Sequence, residues 1–176
     1  NEEIFYDLSI DVKKTLEDSF KKFTKEEYIS DYTDSRSPTP QLVTYQTLLL
    51  TLPRILQIQI KRYKYNVITG SAEKIDSELS YTEEIDLAPF MYKKDPTQCT
   101  KYKLFGVIVH SGIASGGHYY IYCKPEMKED WYVFNDSWVQ TVDSKEALEE
   151  NFGGIDINSY LYTTKSWKKD YSAYML

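Results

Sequence analysis

Cysteine is scarce in this chain. Only Cys99 and Cys123 occur in 176 residues. They form no C-x-x-C pair, so a zinc ribbon cannot be built from this sequence. Two cysteines do not make a disulfide framework either, and a reducing compartment is expected. Histidine is equally rare, with His110 and His118 alone. No apolar run approaches the ~20 residues that span a bilayer, and the first residues lack the pattern of a signal peptide. No membrane role is expected, and an intracellular protein, cytoplasmic or nuclear, is the default. No basic stripe offsets the net charge of −6, which argues against nucleic acid as a partner. Tyrosine, by contrast, is abundant at 17 copies. Aromatic rings with a polar tip serve grooves and interfaces as well as cores.

The length suits one domain. Alternation of Ile4, Tyr6, Leu8, Ile10 and Val12 predicts a strand. Thr15 followed by Asp18 reads as a helix start, and Leu16, Phe20 and Phe23 form one helical face. A second start at Thr24 to Glu27 predicts a further short turn. Residues 30–47 carry two prolines and no firm period, so they read as a loop. Leu56, Ile58 and Ile60 alternate with polar residues, a half-buried strand. The stretch ITGSAEK reads as a turn, and YKLFGVIVH (102–110) as a core strand. Two more strands, 118–124 and 130–135, flank the polar turn PEMKED. Asp143 and Glu146 cap the helix KEALEENF, which stops at Gly153-Gly154. SAYML is a final apolar strand. Strands outnumber helices in no regular alternation, so the class is α+β with a mostly antiparallel sheet.

If 118–124 and 130–135 form a hairpin centred between Glu126 and Met127, His118 stands directly opposite Asn135. Opposed side chains share a face. An amide oxygen there would fix the imidazole tautomer and leave the other ring nitrogen as a base. Asp136 falls on the other face if the strand continues, and within reach if it ends. Gly116-Gly117 would let a substrate backbone approach closely. On spacing alone, an ordinary half-buried strand histidine after a glycine turn is the commoner reading of His118. His110, at the end of an apolar strand, is expected to brace the next loop through a structural hydrogen bond.

Several segments then fall in order: LPRILQIQIKRYKYN (52–66), YKLFGVIVHSGIASGGHYYIYCKP (102–125), WYVFNDSWVQTV (131–142), NFGG (151–154) and SAYML (172–176). Together they resemble the C-terminal histidine-box half of ubiquitin-specific proteases, a family of deubiquitinating cysteine proteases. FYDLSIDVKKTLEDSFKKFTKEE resembles the strand and helix that precede the family's fingers. The resemblance implies a papain-like core of palm and reduced fingers, with residues 1–50 as strand, helix and shortened finger region and 51–176 as the palm. It implies that ubiquitin and ubiquitinated proteins are partners and that no cofactor or metal is needed. His118 of the GHY motif would be the general base, Asn135 the third triad member and Asp136 its support. Tyr119, Gly116, Gly117 and Tyr63 would line the path of the ubiquitin tail, with 111–117 as a mobile blocking loop.

The chain departs from the family in two respects. The thumb, with its cysteine box, is not found here. Cys99 lacks the glycines of such a box, and Cys123 points away from His118 on the same strand. The finger cysteines are also missing. A missing N-terminal cysteine-box segment or partner chain is therefore expected, and this portion alone should be inactive. The abrupt ending at AYML fits truncation. A catalytically inactive relative that binds ubiquitin or scaffolds a complex is the alternative; the retained His118, Asn135 and Asp136 favour the enzyme. An unrelated binding module is the third reading.

Overall fold

The structure is a computed structural model that describes residues 1–34, 37–125, 128–156 and 167–176. Strand β1 (Leu8–Asp11) lies parallel to β4 (Ile58–Lys61), Leu8 opposite Ile58 and Ile10 opposite Ile60. Those four side chains are buried and begin the core. The alternating face was expected to reach Ile4, but Ile4 and Tyr6 are 94% and 93% exposed, because β4 offers no residue opposite them.

Helix α1 (Leu16–Phe23) starts where the sequence places it. The Asp18 N–H donates to Thr15 Oγ1 at 3.0 Å, and Leu16 and Phe20 face inward. Phe20 stacks on Phe90 at 5.2 Å between ring centroids. No further helical turn follows; β2 (Glu27–Asp34) begins instead and pairs with β3 (Ser37–Tyr45). The expected loop at 30–47 is thus mostly a hairpin. Its described residues are largely exposed on both faces, so no hydrophobic period marks it. Both strands of a two-stranded ribbon are edges, where Pro38 and Pro40 are tolerated.

A second hairpin joins β5 (Tyr63–Asn66) to β6 (Ser71–Lys74) around Gly70, whose φ is +66°. A third pair is β7 (Glu84–Asp86) with β8 (Lys101–Lys103). Strands β9 (Gly106–Ile113), β10 (Gly116–Cys123), β11 (Trp131–Asn135) and β12 (Trp138–Val142) run as an antiparallel meander. Helix α2 (Ser144–Leu148) is capped by Asp143, whose carboxylate accepts from the Glu146 N–H at 2.8 Å. It tightens into a 3-10 turn over Glu149–Asn151 and stops, as the sequence indicates, at Gly153 and Gly154, with φ of +80° and +86°. The short strands β13 (Ile155–Asp156) and β14 (Trp167–Lys168) pair with each other.

The last strand, β15 (Tyr171–Met175), enters the middle of the main sheet, whose order is β1-β4-β15-β9-β10-β11-β12. Within it only the β1–β4 pair is parallel. The fold is α+β on a mostly antiparallel sheet. Val107, Val109, Val133, Trp131 and Ala173 carry the core across the sheet to Leu79, Leu87 and Phe90. Among the described residues no helix is long and apolar enough to cross a membrane.

Arg62 leaves β4 fully buried. Its Nε donates to Ala173 O at 2.7 Å, Nη1 to Ile75 O and Ser77 O at 3.0 and 2.9 Å, and Nη2 to Phe152 O at 3.0 Å. Burial pushes its pKa down, yet a guanidinium keeps its charge. All four acceptors are backbone carbonyls, from β15, the 75–77 segment and the turn before Gly153. Arg62→Met would remove a donor from each of them; Phe152 O keeps the Leu79 N–H at 2.9 Å, and the buried acceptors left unpaired are costly. Urea unfolding of this variant is expected to show a loss of about 3 kcal/mol or more; a loss below about 1 kcal/mol would show that the guanidinium is not holding these segments.

Candidate functional site

His118 sits near the start of β10, and its Nε2 lies 2.6 Å from Asn135 Oδ1 at the end of β11. The expected pair is therefore in contact, but by a different register. Tyr122 faces Val133 and Ile121 faces Phe134, so continuing the ladder puts Asn135 opposite Tyr120. His118 reaches Asn135 along the diagonal. At the strand ends the Lys124 N–H donates to Phe105 O and the Lys128 N–H to Pro125 O. A slip of two residues keeps every side chain on its own face, whereas a slip of one would have separated the pair.

Asn135 and Trp138 close a two-residue turn. Asp136, its first residue, has a φ of +52°, a conformation Asp tolerates better than most side chains. The strand ends at Asn135, and the turn brings Asp136 Oδ2 to 3.8 Å from His118 Nε2. An amide oxygen only accepts, so the shared proton sits on Nε2 and the lone pair on Nδ1. The His118 side chain remains 47% exposed.

Tyr119 and Tyr63 lie elsewhere. Tyr119 points to the opposite face of β10 from His118, where its register partner is His110. His110 is buried, with Tyr119, Tyr174 and Tyr63 rings at 4.6, 4.9 and 6.3 Å. It was expected to brace the loop by a hydrogen bond. Among the described residues its Nδ1 has no such partner, and the ring serves as one wall of an aromatic cluster. Burial, then the nearby Lys74 charge, holds its pKa below the ordinary histidine range. Burial first, and then the neighbouring Tyr63 phenol, pushes the Tyr119 hydroxyl up.

Between the two faces run Gly116 and Gly117. The expected loop at 111–117 is mainly strand, with only Ala114 and Ser115 outside β9 and β10. Pairing persists because Gly117 has no side chain. A Cβ there would stand 2.3 Å from Ser111 O and 2.4 Å from His110 Nε2. Gly116 has nothing within 4 Å of that position, so it presents open backbone.

Neither cysteine reaches His118. Cys99 is exposed, with Sγ 3.5 Å from Lys101 O. Cys123 faces away from His118 on β10, and burial pushes its thiol up, the reverse of what a nucleophile needs. Among the described residues no group of three His, Cys, Asp or Glu side chains could hold a metal ion. No pattern in the sequence assigns a role to Tyr174, which packs on both His110 and Tyr63. Its place in the apolar run SAYML conceals that it faces a polar cluster.

Comparison with known proteins gives this geometry a setting. The family model described as ubiquitin carboxyl-terminal hydrolase matches residues 5–176. Ubiquitin carboxyl-terminal hydrolase 15 of Schizosaccharomyces pombe is 34% identical over 99% of this chain and 16% of its own length. Ubiquitin C-terminal hydrolase 12 of Arabidopsis thaliana is 34% identical over 86% of this chain and 14% of its own. The chain thus spans a small part of these curated relatives. A chain of the SAGA DUB module (Ubp8, Sgf11, Sus1 and Sgf73) bound to monoubiquitin superimposes with a TM-score of 0.73 at 26% identity, over 98% of this chain and 34% of that one. The same module bound to ubiquitin aldehyde gives 0.72 at 25%, over 97% and 35%. The fold is papain-like, and the chain belongs to the ubiquitin carboxyl-terminal hydrolase family.

Proposed function

We propose that this chain is the base-carrying portion of a thiol-dependent deubiquitinase. It would act on the peptide or isopeptide bond after the C-terminal glycine of ubiquitin. The observation that carries the reading is the 2.6 Å contact between His118 Nε2 and Asn135 Oδ1, which leaves Nδ1 as a basic nitrogen on an accessible face. Nδ1 takes the proton of a cysteine thiol, and the thiolate forms a C–S bond to the glycine carbonyl carbon. Collapse of the tetrahedral adduct breaks the C–N bond, and the histidine returns its proton to the leaving amine. Water then hydrolyses the thioester with the same imidazole as base. Asn135 keeps the ring in the productive tautomer, and Asp136, at 3.8 Å, stabilises the imidazolium.

The thiol belongs to sequence outside these 176 residues, since Cys99 and Cys123 are both misplaced. Support comes from the small share of each relative that this chain covers. That segment, in the same polypeptide or a partner chain, would also supply the oxyanion donor. Tyr119 and Tyr63 form an exposed aromatic surface that runs to the open backbone of Gly116, and we assign this path to the ubiquitin tail. The β2–β3 hairpin stands as the reduced finger region and residues 51–176 as the palm. The two unpaired cysteines favour an intracellular setting, cytoplasmic or nuclear. The distance of both thiols from His118 is also what an inactive ubiquitin-binding or scaffolding relative would show, so activity decides between the two.

A fluorogenic ubiquitin C-terminal amide tests this. The chain alone is expected to give no turnover. A longer natural protein that includes a cysteine-bearing segment is expected to turn it over, with His118→Ala lowering kcat/KM by about a thousandfold. Turnover that survives this substitution would remove His118 from the base role. In that longer protein Asn135→Ala is expected to lower kcat by about a hundredfold with little change in KM, and Asp136→Ala by less. A larger effect at Asp136 than at Asn135 would exchange the two roles.

A further inference from the structure

Beyond Ser111 the β9–β10 hairpin has no further strand neighbour among the described residues. On one side β15 pairs with β9 only as far as Tyr171 opposite Ser111. On the other, β11 meets β10 from Ile121 to Cys123. His118, opposite Ser111, stands at the root of this overhanging tip. One side of the tip is fastened by the His118–Asn135 contact. The other is fastened by Lys74, the last residue of β6.

The Lys74 side chain is only 5% exposed. Its Nζ donates to Gly112 O at 2.8 Å and to Asp170 O at 2.5 Å, and the Gly112 N–H donates to the same Asp170 O at 2.8 Å. These three bonds close a triangle among β6, the tip and the turn before β15. Among the described residues the nearest carboxylate, Asp76, is 4.0 Å away, and the Tyr174 ring centroid is 6.0 Å away. Burial, outweighing the two aspartates, pushes the Lys74 pKa down. A buried ammonium without a close carboxylate is an expensive way to fill space. Both its acceptors are backbone atoms at the root of the hairpin, not parts of the core.

Gly112 is suited to this grip. Its φ of +117° disfavours any side chain, and a Cβ would lie 2.7 Å from Gly116 O and 2.8 Å from Gly117 Cα. Gly112 faces Gly117 across the ladder, one position from His118. A shift of the Gly112 peptide therefore passes directly to the strand that carries the imidazole.

We propose that Lys74 is a positioning residue that clamps the 112–117 tip and so keeps His118 on Asn135. This rests on the reading of His118 as the base, but its test needs neither ubiquitin nor a thiol, so the two can fail separately. The experiment compares the wild-type chain with Lys74→Met, similar in length and without charge. Amide hydrogen exchange is followed at Gly112, Gly117 and His118 and at the core residues Ile60, Val109 and Ala173, and the His118 tautomer by long-range proton–nitrogen correlation. The ratio of tip to core exchange rates is expected to rise about tenfold or more in the variant, and His118 to pass from an Nε2-protonated ring to a mixture of tautomers. An unchanged ratio, whether the core stays protected or exchanges faster throughout, would overturn the proposal, as would an unchanged tautomer.

Discussion

One buried cation ties together segments that are far apart in the chain. Arg62 donates to carbonyls up to 111 positions away, in β15, the 75–77 stretch and the turn at Phe152. The carbonyls could not face the interior without a donor, and the guanidinium could not be buried without acceptors arranged around its plane. The consequence for the sheet is specific. β15 lies between β4 and β9, so what fixes β15 also fixes the strand on which the β9–β10 hairpin is hung. His118 is two strands away from that anchor.

From the anchor outward the structure passes from apolar packing to polar fastening. Val107 and Val109 hold β9 in the core, and His110 turns the strand towards a cluster of tyrosines. Past Ser111 no ladder among the described residues flanks the hairpin on either side, and the tip is held by the Lys74 triangle and by Asn135. The exposed face of the imidazole is thus reached through the least braced part of the sheet. Such a place suits chemistry that must admit a bulky polypeptide, because local opening there need not disturb the core. Parity divides this hairpin: His118 turns to Asn135 of β11 on one face, Tyr119 joins the aromatic cluster on the other, and glycine runs between them.

The sequence disclosed what depends on local or parity rules. Thr15 and Asp18 mark a helix start because a cap is a contact three residues long. His118 and Asn135 were matched because alternation survives a two-residue error in register. Gly153 and Gly154 mark a helix end through their positive φ. The β2–β3 hairpin was not legible because neither of its faces is buried, so no period betrays it. Lys74 and Arg62 were not legible for another reason. Their partners are backbone carbonyls, which every residue has, at distances along the chain that only the finished fold defines. The expected brace at His110 misjudged the neighbours of a buried ring for the same reason, since Tyr63 and Tyr174 arrive from β5 and β15. What the family resemblance added was the role of the pair and the expectation of a thiol from elsewhere.

The proposed role of the surface beside His118 is to receive the C-terminal tail of ubiquitin. The most direct measurement is a nuclear magnetic resonance titration of the isotopically labelled chain with ubiquitin and with ubiquitin lacking its C-terminal glycines. Shifts are expected at Gly116, Gly117, His118 and Tyr119 with intact ubiquitin and are expected to vanish with the truncated form, while any shifts on the β2–β3 hairpin persist. Shifts at those four residues that are the same with both forms, or absent with intact ubiquitin while the hairpin responds, would contradict it.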